Sequence, residues 1–175
     1  MANDNYLDKY TKQFNEHLAE IDELVQSVLT GHLIVEGALD NIITLIFFHP
    51  EHLRLNFERK VQVVRAYALR KNKETIWNLV AAINETRNAV AHNLAGERRE
   101  KKMAQLRRMY LAETGPDLAE KQKDYPNHVI AVMACVLCTG FLGTLEDDTK
   151  GLRRIIDALD AEMNPDMPRV PPLKS

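Results

Sequence analysis

The sequence predicts an all-α bundle of about five core helices, with an extra basic helical segment and an extended C-terminal tail. Three observations predict it. Apolar residues recur at three- and four-residue steps through most of the 175 residues, the period of a helix face rather than of a strand. All seven prolines fall between or after those periodic stretches. The composition, 45% hydrophobic and 27% charged, is that of one ordinary globular domain long enough to bury a substantial core.

Taken in order, Tyr6 to Leu29 reads as a first helix, with Phe14, Leu18, Ile21, Leu24, Val25 and Val28 on one face. Thr30-Gly31 is expected to end it, since Gly is the usual residue after a helix C-terminus. His32 to Phe48 is a second helix, apolar around most of its circumference and therefore expected at the centre of the bundle. Glu36 and Asp40 lie one turn apart on it. Carboxylates on a buried helix need a partner; Arg87 is the first candidate, and a polar edge facing water is the alternative. His49-Pro50 stops this helix.

Leu55 to Leu69 makes a third helix, with Phe57, Val61, Val64 and Ala68 inward and Arg59, Lys60 and Arg65 outward. Lys71-Asn72-Lys73 connects it to a fourth, Lys73 to Ala91, which has neither Gly nor Pro inside it and carries Glu74 in its first turn. Downstream, Arg98, Arg99, Lys101, Lys102, Arg107 and Arg108 place six cations within eleven residues. They read either as a patch tracking RNA phosphates or as a solvated helix face. Gly115-Pro116 breaks the chain. A charged stretch from Asp117 to Asp124 leads through Tyr125-Pro126 into a last core helix, His128 to Leu145, followed by a polar helix-prone segment, Asp147 to Glu162. Residues 1–162 form a single domain in this reading, and the proline-dense residues 163–175 an extended tail.

Net charge −2 and a pI near 6.3 do not suggest a bulk nucleic-acid coat, so RNA binding would need a local patch. Cys135 and Cys138 have CxxC spacing, but no second Cys pair exists and both sit in an apolar run, so they read as core packing. The N-terminus lacks a basic region followed by an apolar core, and the apolar runs look shorter than the roughly 20 residues that span a bilayer. A cytoplasmic protein without a membrane partner is expected. No Walker A loop, GxGxxG or HExxH is present, and His17, His32, His49, His52 and His128 show no ligand spacing, so neither a metal nor a cofactor is expected.

The chemistry-bearing stretch closes the fourth helix. Ile76, Leu79, Val80, Ile83 and Val90 form one apolar stripe, and Arg87 falls in its centre, a position where a permanent cation needs a reason. Asn88 follows, and His92 comes one turn after Asn88. Arg87-Asn88-Ala89-Val90-Ala91-His92 resembles the Arg-polar-three-residues-His signature of HEPN domains, small all-helical modules common among bacterial RNA-cutting toxins and defence proteins. The resemblance covers roughly Ile21 to Leu145, and Asn56-Phe57-Glu58-Arg59-Lys60 also resembles the segment that precedes the motif helix in that family. It implies a HEPN-like bundle and a metal-independent endoribonuclease acting by 2′-hydroxyl attack, in a toxin or defence setting. His92 would be the acid/base, Arg87 the phosphate and transition-state binder, Asn88 a positioning hydrogen-bonder, and Glu36 and Asp40 supporting groups. It also implies a homodimer and leaves room for an antitoxin or regulatory partner. The alternative within the family is a non-catalytic module binding RNA or protein.

Helical geometry constrains the site. Arg87 and His92 lie about 140° apart around an ideal helix, whereas Asn88 and His92 share a face. Either the helix ends or bends before His92, or two subunits each contribute part of one site. Trp77, Ala81, Asn84, Asn88 and His92 form the mixed face expected to serve as the dimer seam.

Overall fold

The computed structural model describes residues 11–12, 23–91 and 96–167. Six α-helices and no strand are found among them: α1 (Glu23–Ile46), α2 (Phe57–Tyr67), α3 (Ile76–Ala91), α4 (Gly96–Thr114), α5 (Pro116–Gln122) and α6 (Asn127–Met163). A 3-10 turn, Pro50–His52, lies between α1 and α2. The all-α expectation holds.

Two expected breaks are absent. Thr30-Gly31 does not end a helix: α1 runs unbroken through it. Gly31 is buried against α6, where a Cβ would stand only 2.4 Å from Cys135 Sγ. The glycine is a point of close approach between helices, not a cap. The expected core helix 128–145 and polar segment 147–162 are likewise one helix of 37 residues, α6. Of the first expected helix, residues 23–29 belong to α1, and most of the remainder lies outside the described residues.

The core is built on the parallel pair α1 and α6. His128 Nδ1 lies 3.4 Å from Glu23 Oε2 at one end, Gly31 meets Cys135 further along, and Arg153 Nη1 donates to the Leu45 carbonyl at 3.2 Å at the other. Arg153 is buried. It also donates to Asp157 at 2.9 Å and covers the Phe48 ring at 3.7 Å, so one cation closes the C-terminal end of α1, where helix carbonyls lack partners. By length and composition both helices could cross a membrane, contrary to the run-length reading of the sequence. Here they pack on each other around Val35, Leu39, Ile130 and Leu142, all essentially inaccessible.

The remaining helices cover this pair. Asn56 caps α2, its side-chain oxygen accepting from the Arg59 amide at 2.9 Å. The expected stripe of α3 is buried: Ile76, Leu79, Val80, Ile83 and Val90. Trp77 is buried as well, edge-on to Phe141, and its indole N–H donates to the Lys71 carbonyl at 2.7 Å. It is therefore not part of an exposed seam. On α4, Met103, Leu106 and Tyr110 face inward, and the Tyr110 hydroxyl donates to buried Gln122 of α5 at 2.7 Å. Cys135 and Cys138 are buried free thiols. Desolvation raises both, Cys135 to about 12, which leaves them inert as nucleophiles.

Candidate functional site

The candidate site lies where the last turns of α3 face α1. Arg87 is half-buried, and its Nη1 donates to Asn88 Oδ1 at 3.1 Å. It does not pair with Glu36 or Asp40. Lys60 of α2 takes both, its Nζ lying 2.8 Å from Glu36 Oε1 and 2.8 Å from Asp40 Oδ2. Lys60, expected outward, is thus turned in. Its flexible stem lets the ammonium reach carboxylates on a neighbouring helix while the stem covers apolar surface. Burial lowers the Lys60 pKa, but the two carboxylates outweigh burial and hold it above the ordinary lysine value.

Lys60 holds both carboxylates, and no acidic group among the described residues comes within 4 Å of the Arg87 guanidinium. Its charge acts across the helix interface on His32. This imidazole is buried, stacks on Phe57 with centroids 4.5 Å apart, and has Nε2 3.1 Å from Asn84 Oδ1. Nδ1 stands 3.9 Å from Glu36. Burial lowers the His32 pKa; the Asn84 bond and Glu36 oppose this, while the charges of Arg87 and Lys60 add to it. His32 is therefore neutral at pH 7.

Three members of this cluster were not expected in it: His32 carried no ligand spacing, Lys60 was expected outward, and Asn84, expected on the dimer seam, instead meets His32 of its own chain. A signal was available for one of them. His32, Glu36 and Asp40 recur at four-residue steps and so share a face. Nothing in the sequence tied Lys60 or Asn84 to that face. His92 lies outside the described residues.

The six basic residues downstream divide into two groups. Lys102 pairs with Glu85 at 2.6 Å. Arg107 donates to the carbonyls of Lys123 and Tyr125 and to Asn127 Oδ1, at 2.5–2.8 Å, clamping the α5–α6 junction. Arg99 is half-buried. Arg98, Lys101 and Arg108 are exposed, fall within one sector of about 80° on α4, and have no ion-pair partner among the described residues.

Only one group of side chains among the described residues gathers donor atoms closely enough for a metal ion, His49, Glu51 and His52 on the 3-10 turn. All three are exposed, and a 3.2 Å hydrogen bond between His49 and Glu51 accounts for their closeness. A cavity of about 550 Å³ opens beside this turn, lined in part by Asp40, Arg54, Asn56 and Lys60. No family model matches the chain, and no curated protein and no solved structure matches it significantly.

Proposed function

We propose that this chain is a metal-independent endoribonuclease of HEPN type, acting as a toxin or defence effector. One observation carries the reading. Arg87 sits in the seam of a core helix, bonded to the Asn88 amide and within electrostatic reach of a neutral imidazole, while Lys60 takes Glu36 and Asp40 and no carboxylate among the described residues lies within 4 Å of the guanidinium. A half-buried cation without a carboxylate among its described neighbours is suited to an external anion, and a forked guanidinium to phosphate oxygens.

In this reading a phosphodiester binds at Arg87 and Asn88. The substrate's 2′-hydroxyl gives up its proton to a base and its oxygen attacks the adjacent phosphorus. The bond to the 5′-oxygen breaks, and that oxygen takes up a proton. The products are a 2′,3′-cyclic phosphate and a 5′-hydroxyl end. His92 is the acid/base that the resemblance supplies, and Arg87 stabilises the charged phosphorane, a contribution commonly worth about 3–4 kcal/mol. The exposed cations Arg98, Lys101 and Arg108 supply the local patch that an overall acidic chain needs for RNA. A site shared between two copies remains part of the proposal, as does an antitoxin that silences it.

The test is cleavage of RNA by purified protein in EDTA, with end-group analysis. Arg87→Ala is expected to lower the rate about 10²–10³-fold, and His92→Ala to abolish it. The same exposed stripe also favours a second reading, a module that binds RNA or a protein without cutting. That reading predicts no cleavage by the wild type, together with salt-sensitive RNA binding that Arg98→Ala/Lys101→Ala/Arg108→Ala weakens. Growth arrest on induced expression that survives His92→Ala would refute the nuclease.

A further inference from the structure

We propose that the 3-10 turn between α1 and α2 is a divalent transition-metal site, with His49, Glu51 and His52 as its protein ligands. Taken singly in the sequence, these histidines show no ligand spacing, because an α-helical reading looks for pairs four residues apart. The turn follows another period. In a 3-10 helix residues i and i+3 eclipse, and the His52 amide donates to the His49 carbonyl at 3.3 Å, which brings those two residues to one edge. The Leu53 amide closes the next turn on the Pro50 carbonyl at 2.9 Å, and the Pro50 ring fixes its own φ. The backbone thus sets the two imidazoles beside each other, their ring centroids 6.0 Å apart.

Glu51 supplies the third donor. Its Oε1 lies 3.2 Å from His49 Nδ1 and 3.8 Å from His52 Nε2, and the three donor atoms fall within 4.8 Å of one another. Bonds of about 2.0–2.2 Å around a tetrahedral zinc hold neighbouring donors roughly 3.3–3.6 Å apart, so the carboxylate already stands near ligand spacing from both rings. The hydrogen bond that joins His49 to Glu51 leaves His52 out. A metal ion takes the place of the bridging proton and engages all three. Tightening the remaining edge requires only side-chain rotation, and at 61–79% exposure none of the three side chains is confined.

Two imidazoles and one carboxylate suit a borderline ion, Zn2+ or Cu2+, and suit Mg2+ or Ca2+ poorly, since those take oxygen ligands. Three protein ligands leave at least one position open, the arrangement of an exchangeable or catalytic ion and not of a closed structural one. That position has room for water or a small anion. Pro50 of the same turn lines the cavity of about 550 Å³, and Arg54 and Lys60 stand on its wall. The inference does not rest on the ribonuclease reading: EDTA, in which that activity is assayed, strips this ion, so the two can fail separately.

The test is calorimetric titration of the untagged full chain with Zn2+ at about pH 7.5, where exposed imidazoles are mostly neutral. One equivalent is expected to bind, and equimolar Mg2+ is not expected to displace it. His49→Gln and His52→Gln should each weaken binding by more than about tenfold, since even an outer-shell partner is commonly worth that much. Glu51→Gln should weaken it as well. All three positions are exposed, so helical circular dichroism should not change. With Cu2+ in place of Zn2+, electron paramagnetic resonance should show two nitrogen ligands in the wild type and one in His52→Gln. A wild type that binds no Zn2+, equal binding by the histidine variants, or displacement by equimolar Mg2+ overturns the proposal. So does binding that His128→Gln removes and His49→Gln does not, which would put the ion at the Glu23–His128 pair.

Discussion

Replacing Gly31 with alanine tests how α1 and α6 are held together. In an exposed helix interior this change stabilises by roughly 1 kcal/mol. Here the new Cβ would lie 2.4 Å from Cys135 Sγ and 3.1 Å from Cys135 Cβ. Ordinary contact starts near 3.4 Å, so the helices must separate by about 1 Å or the thiol must leave its rotamer. Overpacking of this kind typically costs about 1–3 kcal/mol. An open cavity of about 280 Å³ borders both Gly31 and Cys135, so turning the thiol relieves part of the strain and the middle of that range, about 2 kcal/mol, applies. The net expectation for Gly31→Ala is a loss of about 1 kcal/mol, or roughly 2–4 °C in Tm for a chain of this size. Cys135→Ala alone loses a buried sulfur at a cost of about 1 kcal/mol. In the double variant the added methyl on α1 occupies the space the sulfur left, so Gly31→Ala should be neutral or stabilising in that background. Urea unfolding of all four proteins completes the cycle, with a coupling of about 2 kcal/mol expected. Additivity within about 0.5 kcal/mol, or a stabilising Gly31→Ala in the wild type, would refute the close-approach argument.

Two further outcomes follow from the polar cluster. Lys60→Met leaves Glu36 and Asp40 one turn apart without a cation; because Asp40 is half exposed, solvent screening limits the loss to about 2 kcal/mol. Urea midpoints should show that loss at pH 7 and its partial recovery when Glu36→Gln is added; an effect below about 0.5 kcal/mol counts against the triad. His32 has a lowered folded pKa, so the unfolded chain binds the proton more readily. The stability it contributes is complete above its ordinary value of 6.5 and falls as pH drops below 6.5 toward the folded value. His32→Gln should therefore flatten the decline in stability between about pH 7.5 and 5.5, and an unchanged slope would show that His32 is not held neutral.

The sequence alone determined what depends on local pattern. The 3.6 period marked Phe57 and Val64 of α2 and Ile76, Leu79, Val80, Ile83 and Val90 of α3 as buried, and proline fixed the end of α1 and the start of α6. It also singled out Arg87, since an obligatory cation in an apolar stripe is visible without coordinates. Tertiary structure decided what depends on neighbours from elsewhere in the chain. Gly31 reads as a helix stop because glycine is a poor helix former, yet close packing against Cys135 outweighs that propensity and carries α1 through it. Trp77 was assigned to a surface seam from its helical phase alone, and only the position of Phe141 shows that this phase faces the core. Most consequentially, the carboxylates on α1 chose Lys60 over Arg87. Charge pairing between helices follows distance and reach, which no one-dimensional period encodes, and that choice leaves Arg87 with no carboxylate within 4 Å among the described residues.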